Sequence, residues 1–255
     1  MSGHSKWAKI KHQKGVTDAK RGLIFTKLAK NIALAAKEGG GDPGMNFTLR
    51  LAVSKAKSVN MPAENIDRAI KKGVGGNDKT VFQKVSYEAI IGNIGLIIDC
   101  QTDNVNRTVS EVKRVIENAG AKMVNPGSVS WNFEEKGLVM VKSQKVVKAK
   151  KFGAEDSFED LNKDDLELNL MEINGILDII EVEDENELEV YVSKADLKNV
   201  SMEIEKKGYL VESFEVVKIS KEKITATEEE RNKVESIIEL LEEIDDVNEI
   251  WTNLE

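Results

Sequence analysis

The sequence predicts an α+β fold in which an N-terminal helical domain precedes two ferredoxin-like α/β domains. Apolar residues in the first 75 positions recur with helical spacing, whereas β-branched runs alternate with amphipathic helices further along the chain. The order strand, polar turn, helix, glycine, strand occurs twice, at 95–124 and at 188–219. Two split β-α-β units of this kind are typical of ferredoxin-like domains.

The helical domain contains three predicted helices. Apolar residues at i, i+3 and i+4 predict an amphipathic helix over 18–38, and the glycines and proline of GGGDPG at 39–44 end it. A second helix is predicted over 46–58. The third begins near Pro62, which suits a first helical turn, and we expect it to end at Gly73.

The remaining elements follow from shorter patterns. GLIIDCQT at 95–102 predicts a strand, and the segment 128–143 predicts a hairpin with its turn at 135–137. Thr227 and Glu230 form a capping-box pattern ahead of a last helix. The acidic stretch 153–169 is interpreted as a solvated loop and a helix start.

Charge is unevenly distributed along the chain. The formal net charge is −8, yet residues 1–79 hold 16 Lys and Arg against 6 Asp and Glu, and the rest holds 21 against 39. This asymmetry indicates an acidic body that carries a module for a polyanion. On the predicted helix 18–38, four lysines lie roughly opposite the apolar face: Lys20, Lys27, Lys30 and Lys37.

Several classes of protein are excluded by composition. No apolar run reaches the length of about 20 residues needed to span a bilayer, and the basic start lacks the apolar region of a secretory signal. The single cysteine, Cys100, fits a reducing compartment, so we expect a cytoplasmic protein without a membrane partner. One Cys and two His do not suffice for a zinc site. Since the glycines of GGGDPG follow a helix and not a strand, they do not predict a dinucleotide site, and we expect neither a cofactor nor a metal.

The segment 2–15 is basic and bears an aromatic residue. It contains four lysines, two histidines and Trp7 and no acidic residue. Lysines neutralise phosphates, and tryptophan stacks on unpaired bases. Alternatively, Trp7 packs into the helical domain and the lysines only aid solubility.

A second candidate contact lies in TDNVNRT at 102–108. Asp103 or Asn104 is placed to cap the following helix, and Arg107 falls in its first turn, where the helix dipole disfavours a cation. This local cost favours an anion or an acidic partner near Arg107, with surface decoration as the alternative.

The N-terminal block GHSKWAKIKHQKG, followed by TDAKRGLIFTKL, AAKEGGGDP and ENIDRAIKKGVGG, closely resembles the YebC/PmpR family. The segments YE at 87–88, TDNVNRT and GS at 127–128 resemble it as well. The resemblance implies a non-enzymatic cytoplasmic protein with three domains, the third inserted into the second. On this basis we expect a basic arm and helical domain at 1–79, an α+β domain at 80–134 plus 219–255, and an inserted acidic α+β domain at 135–218.

The resemblance also implies a regulator of gene expression. Bacterial members are described as probable DNA-binding transcriptional regulators, and a mitochondrial relative activates translation of cytochrome oxidase subunit I. Duplex DNA and ribosomal RNA or the ribosome therefore both remain as targets, and the acidic domains leave room for a protein partner. The predicted nucleic-acid-binding residues are His4, Lys6, Trp7, Lys9, Lys11, His12, Lys14, Lys20, Arg21, Lys27, Lys30, Asn104 and Arg107.

Two other classes of function remain as alternatives. An enzyme that uses carboxylates in a cleft requires convergent acids with perturbed pKa values. A pure protein-interaction scaffold requires that reversal of the N-terminal charges leaves partner binding unchanged.

Overall fold

A computed structural model describes residues 18–75, 82–147, 157–182 and 186–255. It begins with the three predicted helices, α1 (Asp18–Gly39), α2 (Phe47–Ser58) and α3 (Ala63–Gly75). The side chain of Asn46 accepts a hydrogen bond from the Leu49 N–H and so caps α2. The helical start of the chain is therefore confirmed.

Strands and helices then alternate. The elements are β1 (Gln83–Ile91), β2 (Ile94–Thr102), α4 (Val105–Asn118), β3 (Lys122–Val124), β4 (Phe133–Val147), β5 (Ser157–Asp160), α5 (Lys163–Met171), β6 (Ile176–Glu181), β7 (Glu187–Ser193), α6 (Leu197–Lys206), β8 (Tyr209–Ser220), α7 (Glu228–Glu242) and β9 (Val247–Thr252). With two sheets after an N-terminal helical region, the chain is a mixed α+β protein.

The chain divides into two compact units. Among the described residues, the first unit comprises 18–41, 64–75, 82–134 and 218–255, and the second comprises 42–63, 135–147, 157–182 and 186–217. The domain boundaries expected from the sequence remain a prediction.

The sheet of the first unit has the strand order β3-β1-β2-β9, and each neighbouring pair is antiparallel. β2, α4 and β3 form a split β-α-β unit, because β1 lies between the two strands that α4 connects. Buried side chains of α4 and α7, such as Val112 and Ile237, pack with Leu96 and Ile98 of β2 in one apolar core. The capping box of Thr227 and Glu230 begins α7, as the sequence predicts.

The sheet of the second unit repeats this arrangement. Its order is β5-β4-β7-β6, and β8 also pairs with β4, so β7, α6 and β8 form another split unit around β4. Its core combines Val190 of β7 with Leu166 of α5 and Val200 of α6. The edge strand β6 and the strands β1 and β5 escaped sequence prediction; β5 occupies part of the stretch interpreted as a solvated loop.

Two glycines have a different role from the one that the sequence predicts. Gly137 lies within the continuous strand β4, so the predicted hairpin turn at 135–137 is wrong. A Cβ on Gly137 would lie 2.6 Å from the Val192 side chain, which shows that this glycine allows close strand packing. Gly73 does not end α3, which continues to Gly75; a Cβ there would lie 2.2 Å from the Ala33 carbonyl oxygen, so Gly73 permits the close approach of α1.

Candidate nucleic-acid interface

The sequence-predicted contacts of the basic arm lie outside the described residues. They are His4, Lys6, Trp7, Lys9, Lys11, His12 and Lys14. Their role in nucleic-acid binding stays a prediction.

The first part of α1 presents exposed cations. Lys20 and Arg21 are exposed in the opening turns of this helix. Both are long, flexible side chains that suit contacts with phosphate groups. Their role in nucleic-acid binding stays a prediction.

Helix α3 adds a set of cations that the sequence-based list omitted. Arg68, Lys71 and Lys72 are exposed, while Ile66 and Ala69 are buried on the other side of the same helix. The alternation of these residues in NIDRAIKK is visible in the sequence and was the available signal.

Lys27 is directed into the protein. Only 5% of its surface is exposed, and its Nζ donates a 2.6 Å hydrogen bond to the Glu242 carbonyl oxygen at the end of α7. A cation at this position is favourable because the carbonyl end of a helix carries partial negative charge. Burial lowers the pKa of Lys27 to about 8, even though Glu242 and Asp245 act in the opposite direction. The expectation that Lys27 lies on an exposed basic face is therefore wrong, since its ammonium group serves an internal contact.

Lys30 has internal partners as well. Its Nζ donates to the Gln101 carbonyl oxygen at 2.9 Å and to Asp246 Oδ1 at 3.0 Å. The same ammonium group lies 4.7 Å from the centre of the Phe82 ring, a cation–π distance. Lys30 thus joins α1 to the end of β2 and to the turn before β9.

Asp246 is the centre of a polar group that we call the Asp246 cluster, formed by Lys30, Thr102, Arg107, Thr108 and Asp246. Its Oδ2 accepts hydrogen bonds from Arg107 at 2.6 Å, from Thr102 at 2.9 Å and from Thr108 at 2.9 Å. Burial alone would raise the pKa of Asp246, but the hydrogen bonds from its partners outweigh it and hold the pKa well below the ordinary value. The carboxylate therefore stays ionised.

Asn104 and Arg107 act within this cluster. The Asn104 side chain accepts from the Arg107 N–H at 3.1 Å and caps α4. Arg107 donates to Asp246 and to Asp103 Oδ1 at 3.0 Å, and the bond to Asp246 contributes most to the raised pKa of its guanidinium group. The acidic partner expected near Arg107 is thus found inside the protein. Its contact with nucleic acid stays a prediction.

A cleft of about 720 Å³ opens beside the Asp246 cluster within the first unit. Its charged lining consists of Lys27, Lys30, Arg107 and Arg114 together with Asp103, Glu111, Glu243, Asp245 and Asp246. This mixture of signs does not favour a polyanion. A general acid requires a raised carboxyl pKa, whereas that of Asp246 is lowered. Within the described ranges, no group of His, Cys, Asp and Glu is arranged to hold a metal ion.

The loop between β3 and β4 is anchored by Glu88 of β1 and carries an exposed tryptophan. The buried carboxylate of Glu88 accepts hydrogen bonds from the N–H groups of Gly127, Val129 and Ser130, at 2.8, 2.5 and 3.2 Å. Burial opposes ionisation of Glu88, but these bonds outweigh it and lower its pKa.

The anchored loop leads directly to Trp131, which is 61% exposed. The Trp131 indole N–H donates to the Ser128 carbonyl oxygen at 3.0 Å. The ring is therefore held in place while it faces solvent. The sequence-based list omitted this residue, because periodicity alone does not distinguish an exposed tryptophan from a core residue.

Fold and side chains together define a class: a mixed α+β protein whose N-terminal helices carry exposed cations beside an acid-rich remainder. Residues 5–76 match the TACO1/YebC protein N-terminal domain, and residues 82–254 match the TACO1/YebC second and third domain. The chain belongs to the TACO1/YebC family, as its N-terminal motifs predict.

The relatives are similar over their whole length. A probable transcriptional regulatory protein of Borrelia garinii subsp. bavariensis is 42% identical over 259 residues, which cover 100% of this chain and 98% of that protein. One of the same description from Thermoanaerobacter pseudethanolicus is 40% identical over 256 residues and is covered to 97%. The crystal structure of a conserved hypothetical protein from Aquifex aeolicus is 33% identical, with a TM-score of 0.78 over 98% of this chain and 97% of that one. Among the described residues, no helix is long and apolar enough to cross a membrane.

Proposed function

We propose that this chain is a non-enzymatic, cytoplasmic regulator of transcription that binds duplex DNA through its basic arm and N-terminal helices. The supporting observation is the set of exposed cations on α1 and α3: Lys20, Arg21, Arg68, Lys71 and Lys72. The bacterial relatives, which are named probable transcriptional regulatory proteins, favour the same role.

The N-terminal part and the rest of the chain then have different roles. We infer that the two α/β parts are ferredoxin-like domains and that the third domain is inserted into the second. The excess of acidic residues after position 79 then repels DNA from the rest of the protein and restricts contact to the N-terminal part. Binding of this kind weakens steeply with salt, because each phosphate contact releases counterions.

The test titrates duplex DNA with the wild-type chain and with the arm variant Lys6→Glu/Lys9→Glu/Lys11→Glu at several salt concentrations. The matched control is Lys84→Glu/Lys122→Glu/Lys233→Glu, which makes the same charge change at exposed positions outside the predicted interface. We expect the arm variant to lose salt-sensitive binding and the control to keep most of it. Equal losses of affinity in both variants would show that the overall charge of the chain explains binding, and this would reject the proposal.

The second candidate is a translation factor that binds ribosomal RNA, and Trp131 favours it. An exposed, fixed indole suits stacking on an unpaired base, which structured RNA offers and duplex DNA does not. Sedimentation in a sucrose gradient at low and raised salt separates the two targets. Salt-sensitive migration with ribosomes, lost in the arm variant and weakened by Trp131→Ala, favours translation; a protein that stays at the top of the gradient excludes it.

A further inference from the structure

The second unit ends in a strand with an open edge. β6 is the last strand in the order β5-β4-β7-β6, and among the described strands it pairs only with β7. The register shifts between Ile176 and Asp178, which leaves Leu177 as the extra residue of a bulge. An edge of this kind offers unpaired main-chain groups to another strand.

The direction of these main-chain groups follows from one hydrogen bond. Val182 N–H donates to the Glu187 carbonyl oxygen at 3.2 Å, toward β7. Because successive residues of a strand alternate, the N–H groups of Ile179 and Glu181 point to the open edge. Ile179 N–H already donates to the Asp178 carboxylate at 3.0 Å, which leaves the N–H of Glu181 toward the open side.

Apolar side chains accompany this edge. Leu177 is 59% exposed and Ile180 is 38% exposed on β6. On the preceding helix α5, Leu168 and Met171 lie three residues apart and are 64% and 59% exposed, while Leu166 and Leu170 fill the core. Exposed apolar side chains on an edge strand are available for contact with another protein.

Charge determines which partner fits. The segment 157–182 contains eight Asp and Glu and one lysine, and Asp178 and Glu181 stand on β6 itself. A second copy of this edge would bring like charges together, and a nucleic acid would be repelled. A cationic strand meets complementary charge and gains main-chain hydrogen bonds.

We propose that the open edge of β6 binds an extended protein segment rich in lysine or arginine by β-strand addition. Main-chain pairing at the edge supplies affinity, Leu177 and Ile180 contact alternate apolar side chains, and the acidic residues select for positive charge. This surface lies in the second unit and does not depend on the nucleic-acid function proposed above.

The test uses the full chain and a fluorescein-labelled peptide of alternating lysine and valine, with binding measured by fluorescence anisotropy. A peptide in which pairs of consecutive prolines separate the lysines keeps positive charge but has prolines on both strand edges, so it cannot pair continuously as a strand. A glutamate–valine peptide keeps the strand pattern but reverses the charge. We expect binding of the first peptide only. Equal binding of the proline peptide would overturn strand addition, because charge alone would then explain the affinity.

Two variants locate the site. Glu181→Pro removes the N–H that points to the open edge without removing a bond to β7, so the unit should fold and bind the peptide about tenfold more weakly. Asp178→Lys/Glu181→Lys should weaken binding to a similar or greater extent. The matched control, Asp67→Lys/Glu235→Lys, makes the same charge change at exposed residues of the first unit and should retain affinity.

Unchanged binding by Glu181→Pro would overturn the proposal, as would an equal loss in the control. Circular dichroism of each variant verifies folding. Concentration-dependent self-association of the wild-type chain, abolished by Glu181→Pro, would show that the edge accepts a second copy instead.

Discussion

Helix α1 uses the same type of side chain in two different ways along its length. Lys20 and Arg21 near its start are exposed, whereas Lys27 and Lys30, about two to three turns further on, bind Glu242, Gln101 and Asp246. The first pair is exposed to solvent, and the second pair joins the helix to the sheet of the first unit. Positive charge on a helix is therefore insufficient to identify a binding face, because partners distant in sequence decide its use.

The largest effect on this comparison should come from Asp246→Asn. The change removes the buried carboxylate that Lys30 and Arg107 share, and loss of the buried partner of an ion pair costs about 3 kcal/mol in the free energy of unfolding. Urea denaturation at neutral pH measures it. Because the folded-state pKa of Asp246 is lowered, this stability is present above the ordinary value of 3.8 and is lost as the pH falls through the folded-state value.

The control for this variant is Asp103→Asn. Asp103 also accepts a hydrogen bond from Arg107 but is largely exposed, so its loss should cost less than about 1 kcal/mol. A gap between wild type and Asp246→Asn that stays constant as the pH is lowered below about 4 would contradict the ionised role of Asp246.

A smaller loss is expected from Gly73→Ala, which separates the two helices that carry the exposed cations. The new Cβ would lie 2.2 Å from the Ala33 carbonyl oxygen, and overpacking of this kind costs about 2 kcal/mol. Gly22→Ala is the matched control in α1, where no atom lies within 4 Å of the added Cβ, and it should stabilise the helix by about 0.5 kcal/mol. Thermal denaturation compares both; equal stability of the two variants would refute the close packing.

The exposed pair should affect binding and leave folding intact. Lys20→Glu/Arg21→Glu should reduce affinity for nucleic acid about tenfold and lower its salt dependence. The free energy of unfolding should stay nearly unchanged, because acidic residues are favourable near a helix start. Titration and urea denaturation of the same preparation separate the two effects. Loss of stability with retained affinity would contradict the binding role of Lys20 and Arg21, because the pair would then serve the fold.

The smallest effect concerns the protonation of Lys27. Its folded-state pKa of about 8 lies below the ordinary 10.5, so the unfolded chain binds more protons between these values and stability contributed by this site rises with pH. Between about pH 7 and pH 9, wild type should gain about 1 kcal/mol relative to Lys27→Met. Denaturation at a series of pH values measures the gap, and a flat gap would contradict the burial of the ammonium group.

Local patterns were sufficient for much of the fold. The helices of the N-terminal region, the capping box at Thr227 and the strand over 95–102 each depend on neighbouring residues, and all are present. The turn assigned to 135–137 failed because Gly137 is required by Val192, a residue distant in sequence. Gly73 was misassigned for the same reason, since its neighbour Ala33 belongs to another helix.

The candidate interface was harder to predict than the fold. The helical spacing of α1 placed Lys27 and Lys30 opposite the apolar face, but their partners Glu242 and Asp246 are more than 200 residues away. The internal partner of Arg107, Asp246, is also distant in sequence, so local patterns could not predict it. Trp131 could have been flagged by its place among small and polar residues, but its exposure depends on the anchoring of the loop by Glu88.

The long sequence separation between the lysines of α1 and their partners determines when this helix can dock during synthesis. Lys27 and Lys30 are translated before their partners Glu242 and Asp246, which lie 215 and 216 residues further on. Helix α1 therefore cannot reach its final docked state until Glu242 and Asp246 have been synthesised, and the nascent helix must remain soluble until then. The dense positive charge of the N-terminal region meets this requirement, since it keeps the undocked helix hydrated until the carboxylate of Asp246 is available.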